Sequence, residues 1–525
     1  MSILSTDYFP SAAEKSGILN VYNRQVEILN QLESEILNLM AKLKDLQTTR
    51  DHVLKLANAN ASLVAPIRRL SDRLLTRIFR YLPVYPSFVV TSVCKRWRAT
   101  AISTPFLWTD IRYGQAPLLD FANMYRSFYV RLDNTFDKPL DLTINTCHYD
   151  NASQFHMQPH RLLSISQMAR NQLHRCRTLN LHGFHCAQYL LFSHVRPPSL
   201  KRLRSLCINF QFGILEDPTI FTLDLPMLEE MKLVNPGNLL QHVQITPNLR
   251  KLRILTLHQC EPQDLAILSQ CPNVVKLIIV LAFTGPQRSL ILPSNIPFPH
   301  LTEFSINQGV YQGDCMDPQN DTVVSDILRR FESPRLTKLT LSLTQSCVKQ
   351  TLIDFPSHPE RLRTLRLEYL SECYHGGGDF QESESYYNFI WSVFPNVHTL
   401  IISAPFFCAL SSGFVSSLVP RPTQQIQEWP CPNLQTLVLS GVIVESEITR
   451  LFYMRDYSLN PIFFPPHINA VFYCCYAKKD IVDALRIAAE DLGIVIQKLD
   501  TFYILLDEIE IGKNKTYPPY LIDAI

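Results

Sequence analysis

His182, His185 and Cys186 stand together in "HGFHC", and imidazole and thiolate groups so spaced are the usual ligands of zinc. Three candidates are one short of a closed tetrahedral site and no cysteine pair at zinc spacing follows, so ordinary strand and loop residues are the better account. Cys474 and Cys475 are adjacent, which in a strand sends them to opposite faces as separately packed thiols, not as a redox pair. The glycine cluster "YHGGGDF" at 374–380 lacks the Gly-Lys-Ser/Thr ending of a phosphate loop and joins no clear strand to a helix. With the neighbouring "QESESYY" it reads as an edge insertion. No serine-histidine-acid or paired-carboxylate arrangement stands out by spacing. The expectation is a protein with no catalytic residue, no metal and no cofactor.

A different chemistry, that of an apolar docking surface, fits "RRLSDRLLTRIFRYLPVYPSFVVTSVCKRWRATAISTPFLW" at residues 68–108. Ser71 offers a hydroxyl to cap free amides, Asp72 an acid in the first turn, and Leu74, Leu75, Ile78, Phe79 and Leu82 follow on a wide apolar face. Pro83 and Pro86 are expected to end this helix. A shorter helix through Phe88, Val89, Val90 and Val93 runs into "CKRWRATAI", where Trp97 and Ile102 can pack back, and "STPFLW" closes the unit. A bundle of roughly forty to fifty residues buries a limited share of its surface, so part of its apolar face is expected to meet a partner.

The elements on either side differ in character. Upstream, Ile18, Tyr22, Leu29, Leu32, Ile36, Leu39, Leu43, Leu46, Val53 and Ala57 recur at steps of four and three, broken only by Gln25 and Arg50. No proline lies between Ser11 and Ala65, so residues 18–62 read as one long amphipathic or coiled-coil helix after a disordered segment, 1–17. Its seam needs a cover: a homodimer through residues 18–57, or a helix that folds back on its own chain or stands partly free.

Downstream is a repeat. "CRTLNLHG", "LRSLCINF", "LEEMKLVN", "LRILTLHQC", "VVKLIIVL", "LTEFSINQ", "LTKLTLSL", "LRTLRLEYL", "VHTLIISA" and "LQTLVLSG" share an apolar-x-x-apolar-x-apolar pattern. Their central apolar positions, 179, 206, 231, 255, 277, 304, 339, 365, 400 and 437, are 22 to 37 residues apart, the period of a solenoid. Proline precedes most of them, as in "LPML", "CPNV", "FPHL" and "SPRL", where it would stop a helix and launch a strand. After residue 460 an apolar strand, a helix with Ile481, Leu485, Ala488 and Leu492 on one face, and a short strand form an atypical last unit that covers the solenoid end.

Composition bounds the function classes. The 525 residues are 46% hydrophobic and 18% charged, enough for several apolar cores. The 49 basic and 47 acidic residues are spread along the chain for a net +2, which favours neither a nucleic-acid nor a membrane-surface partner. "MSILSTDYFPSAAEKSG" has no basic segment followed by an apolar one, so secretion is not expected and the 14 cysteines are expected to be reduced. The longest apolar run, "VVKLIIVLAF" at 274–283, contains Lys276 and is far short of a membrane span. A cytoplasmic or nuclear protein is expected.

The 68–108 stretch resembles an F-box. Leu70, Leu74, Leu75, Ile78, Phe79, Leu82, Val93, Cys94, Trp97, Leu107 and Trp108 match the family's apolar pattern, while Ser71 stands in place of its proline and Arg73 in place of its usual glutamate. The downstream phrases resemble leucine-rich repeats, irregularly, since the family's asparagine is mostly missing and the late units carry insertions. Long helix, F-box and irregular repeats together are similar to the large receptor families of mushroom-forming fungi. The expected fold is therefore α/β: the helix, a three-helix F-box at 63–112, a repeat solenoid with a curved parallel sheet at 113–460, and a cap at 461–525.

That resemblance implies a non-catalytic substrate receptor of a cullin-based ubiquitin ligase. The F-box would bind the small Skp adaptor and, through it, the cullin, while the repeats hold a target protein. It implies adaptor contact by Leu70, Leu74, Leu75, Ile78, Phe79, Leu82, Val93, Cys94 and Trp97. Target contact would fall to positions between the buried ones on the strands: Asn180, His182, Thr256, His258, Arg366, Glu368, Val438 and Ser440. The alternative is a ligase-independent repeat scaffold whose F-box-like bundle has lost the adaptor, a reading supported by Ser71 and Arg73.

Overall fold

A computed structural model describes residues 9, 11–64, 66–82, 86–114, 121–145, 159–183, 200–209, 221–236, 243–245, 249–282, 296–308, 320–343, 359–369, 390–409, 417–418, 431–444, 446–454, 468–473, 475–477, 479–492, 495–497 and 503–504. His185, Cys186, Cys474, the 374–380 glycines and "QESESYY" lie outside the described residues. The chain divides into two compact units, residues 1–104 and 105–525.

In the first unit, helix α1 spans Ala12–Val64. It starts earlier than the seam predicts because "SAAE" forms a reciprocal cap. The Ser11 backbone amide donates to Glu14 Oε2 at 2.9 Å, and the Glu14 amide donates to Ser11 Oγ at 3.4 Å. The expected disorder of residues 1–17 thus gives way to helix from Ala12, with 1–8 and 10 outside the described residues. Three short helices follow: α2 (Asp72–Arg80), α3 (Pro86–Val93) and α4 (Lys95–Ile102). Pro86 does not end α2; it occupies the first turn of α3, where its missing N–H costs nothing.

The second unit is built on a 16-stranded parallel sheet. Strand β1 (Asp110–Tyr113) pairs with β2 (Leu140–Asn145), and β2 with β3 (Cys176–His182). Helix α5 (Phe121–Asn134) joins β1 to β2, and α6 (Pro159–Gln172) joins β2 to β3. All ten predicted central positions fall on one ladder: Leu179, Leu206, Met231, Leu255, Leu277, Phe304, Leu339, Leu365, Leu400 and Leu437 are successive partners. None is more than 1% exposed. Side chains alternate across a strand, so matched registers stack each apolar row against the next and exclude water from one face.

The ladder extends beyond the ten repeats at both ends. The ladder begins before β3, with Ile111 opposite Leu142 and Leu142 opposite Leu179, so β1 belongs to the sheet and not to a bundle ending at 112. Past 460 the strands expected of the last unit join it: Leu437 pairs with Ala470, and Ala470 with Ile496. The terminal helix Lys479–Leu492 buries Val482, Leu485 and Ala488, while Ile481 and Leu492 pack at the edge of the same core.

The prolines act differently from the sequence expectation. In "LPML", "CPNV", "FPHL", "SPRL", "FPNV" and "CPNL" the fourth residue donates its amide to the first residue's carbonyl, as Leu228 does to Leu225 at 3.2 Å and Leu301 to Phe298 at 3.2 Å. Proline is the second residue of a tight turn, where its fixed φ is already correct. Leu225 and Leu228 both point into the core. The exit is also repeated: Gly183, Asn235, Gln259 and Gly441, each four residues beyond its ladder position, adopt positive φ.

Candidate functional site

The 66–104 bundle is organised by a division of α2 into two faces. Ser71, with extended backbone, accepts the Leu74 amide on its hydroxyl, so serine caps the start of this helix. Leu75 and Phe79, 0% and 1% exposed, turn inward, and the Phe79 ring lies 5.1 Å from that of Trp97. Cys94 caps α4 by accepting the Trp97 amide on Sγ at 3.4 Å. Arg96, with an exposed side chain, pairs with Asp72 at 2.7 Å and donates to the carbonyls of Arg68 and Leu70, joining α4 to the start of α2.

The other face stays partly exposed. Leu74, Ile78 and Leu82, spaced by four, are 46%, 40% and 37% exposed, and Val89 and Val93 repeat the spacing on α3 at 65% and 55%. Leu70, Cys94 and Trp97 are half-buried. Of the nine predicted contact residues, Leu75 and Phe79 have no surface to offer in the free chain and serve as supports; Leu74, Ile78, Leu82 and Val93 present apolar area. Sequence reasoning placed Val89 on α3 but did not assign it to the contact surface, although its i, i+4 relation to Val93 was legible. Arg96 was missed because its partners lie 24 to 28 residues away.

On the long sheet, all eight predicted target-face residues are half-buried and alternate with core positions. They are not gathered into one site. Asn180 donates to Thr143 at 3.2 Å, and Arg366 and Glu368 form an ion pair at 2.6 Å, with Ser342 also donating to Glu368. Val438 lies two strands beyond Arg366, with Ile401 between them. Burial, and after it the Lys232 ammonium, holds His182 and His258 below the ordinary imidazole value. Lys232, Asn209 and Asn307 join this face, and the buried Asn209 Oδ1, His258 Nδ1, Asn307 Oδ1 and Arg366 Nε have no hydrogen-bond partner among the described residues.

No group of three or more potential metal ligands occurs among the described residues, and no described helix is long and apolar enough to cross a membrane. Cys94, Cys176, Cys207, Cys260, Cys271, Cys431 and Cys475 are free thiols.

Residues 67–109 match the family model of the F-box domain. No curated protein matches the chain. The molecule is thus a chain with an F-box domain and a helical N-terminus, followed by a long parallel sheet of solenoid-like α/β architecture. An F-box domain points to a role as a substrate-recognition adaptor in Skp–cullin ubiquitin ligases, a class whose members are generally non-catalytic.

Proposed function

We propose that this chain is the substrate receptor of a cullin-RING ubiquitin ligase, acting in the cytoplasm, the nucleus or both. The Skp adaptor covers the exposed face of Leu74, Ile78, Leu82, Val89 and Val93. The sheet is a leucine-rich-repeat solenoid whose open face holds a target protein. The observation that carries this reading is the split of α2: an F-box sequence folded around Leu75 and Phe79 leaves a row of aliphatic side chains at helical spacing partly exposed. Such a receptor needs no reacting group. It raises the local concentration of target lysines beside a thioester made on another subunit, so its contribution is positioning. The polar side chains of Asn209, His258 and Asn307 on this face, each with an atom left unpaired, support a target with matching donors and acceptors over a purely apolar one.

Size-exclusion chromatography of the intact chain with a preformed adaptor–cullin complex tests the assembly. Co-elution is expected, and separate elution of a folded chain would leave a ligase-independent scaffold.

A further inference from the structure

The seam of α1 is uncovered over its whole length. Ile18, Leu29, Leu32, Ile36, Leu39 and Leu43 are each more than half exposed, and Val26 is the only described side chain of the helix that is even half-buried. A continuous apolar stripe in water is what a second helix covers. The two polar interruptions, Gln25 and Arg50, decide which helix and in which direction. Parallel pairing in register sets each seam residue against its own copy, bringing the Arg50 guanidinium onto another Arg50. Antiparallel pairing about an axis between residues 37 and 38 sets Gln25 opposite Arg50, an amide carbonyl against a guanidinium. The same register sets Ile36 opposite Leu39, Leu32 opposite Leu43 and Leu29 opposite Leu46, so no apolar seam residue meets a polar one. Toward the ends, Tyr22 meets Val53 and Ile18 meets Ala57.

The flanking positions agree. Antiparallel pairing brings Glu35 beside Lys42 of the other copy, twice by symmetry, and Val21 beside Leu56, which are 59% and 53% exposed in the single chain. In the parallel arrangement Glu35 faces Met40 and Lys42 faces Gln47, so this complementarity is lost. Neither Glu35 nor Lys42 has an ion pair among the described residues of one chain.

We propose that α1 is an antiparallel dimerisation helix whose partner is α1 of a second copy, with Gln25 and Arg50 fixing direction and register. At about 1.5 Å per residue the two Val64 ends lie roughly 80 Å apart, so each F-box bundle emerges at its own end of the rod. The proposal does not depend on adaptor binding, and failure of the receptor reading would leave its test unaffected.

The test uses the full-length chain. Sedimentation equilibrium at about 10 µM is expected to give twice the 60.4 kDa chain mass; a monomer, or any mass above the dimer, overturns the proposal. A mixture of isotopically light and heavy copies carrying p-benzoylphenylalanine in place of the exposed Leu29 is then photocrosslinked and mapped by mass spectrometry. Crosslinks between copies are expected around Leu46, and crosslinks around residue 29 of the second copy overturn the orientation. Glu35→Lys is expected to weaken the dimer roughly tenfold, and Glu35→Lys with Lys42→Glu to restore it. Absence of restoration contradicts the register.

Discussion

Replacing Phe79 by alanine and, separately, Ile78 by alanine perturbs adjacent residues of α2 that face opposite ways. Phe79 is 1% exposed and packed against Trp97, so its truncation leaves a cavity in a bundle with few other large side chains. A core Phe→Ala change costs about 3–5 kcal/mol. That is comparable to the whole stability of about 3–5 kcal/mol that one small core supplies. Ile78 is 40% exposed, and removing three carbons from such a position costs roughly 1–1.5 kcal/mol at about 0.8 kcal/mol per fully buried methylene. Hydrogen exchange on the intact chain, followed at the amides of residues 72–80 and 95–102, separates the two. Protection is expected to fall roughly a hundredfold or more in Phe79→Ala and about tenfold or less in Ile78→Ala. Equal losses in both variants would refute the division of α2 into a supporting face and a docking face.

Gly114 ends β1 with φ at 81°, and a Cβ there would sit 1.8 Å from the Asn145 carbonyl oxygen. Gly114→Ala is therefore expected to lower stability by about 2 kcal/mol or more, read as a drop in the calorimetric transition; an unchanged transition contradicts the close pairing of β1 with β2. Asp264 accepts the Glu261 amide at 2.8 Å, yet burial raises its carboxyl from 3.8 to about 6. The folded chain therefore holds this proton more tightly than the unfolded chain, a contribution present in full below the unfolded value and lost as pH rises through about 6, at most ~3 kcal/mol. Asp264→Asn keeps an acceptor without the charge, so its urea midpoint is expected to gain on the wild type between about pH 4 and pH 6.5 and to level off above; a pH-independent difference contradicts this. Arg96→Ala removes two bonds to backbone carbonyls and an exposed ion pair, and is expected to lower the protection of α4 amides by about 1–2 kcal/mol, with no change marking the clamp as incidental.

The sheet was legible because its signal is repeated: the same apolar triplet recurs until its central residues form one ladder from Leu179 to Leu437. Its first strands were harder to read, since "DIRY" has only Ile111 and Tyr113 to place inward and abuts the F-box without a break. The alternation Leu140, Leu142, Ile144 after Pro139 was the available sign of β2. The α1 start was hidden because a capping box needs Ser11 and Glu14 to be read together, ahead of the first seam residue. At the candidate site, spacing identified the apolar set of α2 but not its division. A wide stripe of Leu74, Leu75, Ile78 and Phe79 exceeds what a small bundle can bury, and the placement of Trp97 decides which half turns in. The polar atoms at Asn209, His258 and Asn307 were not foreseen as a group, since each is 49 residues from the next and only the strand register, through Val234 and Val280, aligns them on alternate strands.

The proposed receptor role requires the exposed aliphatic face of the F-box bundle to hold the Skp adaptor. Calorimetric titration of the intact chain with purified adaptor, beside the double variant Leu74→Asp and Ile78→Asp, tests it most directly. Both substitutions fall on exposed positions, so the bundle is expected to stay folded while each places a carboxylate where apolar area should be covered. Saturable binding by the natural sequence and a loss of roughly a hundredfold or more in the variant are expected. Absence of heat from a folded natural chain, or equal affinity in the variant, would contradict it.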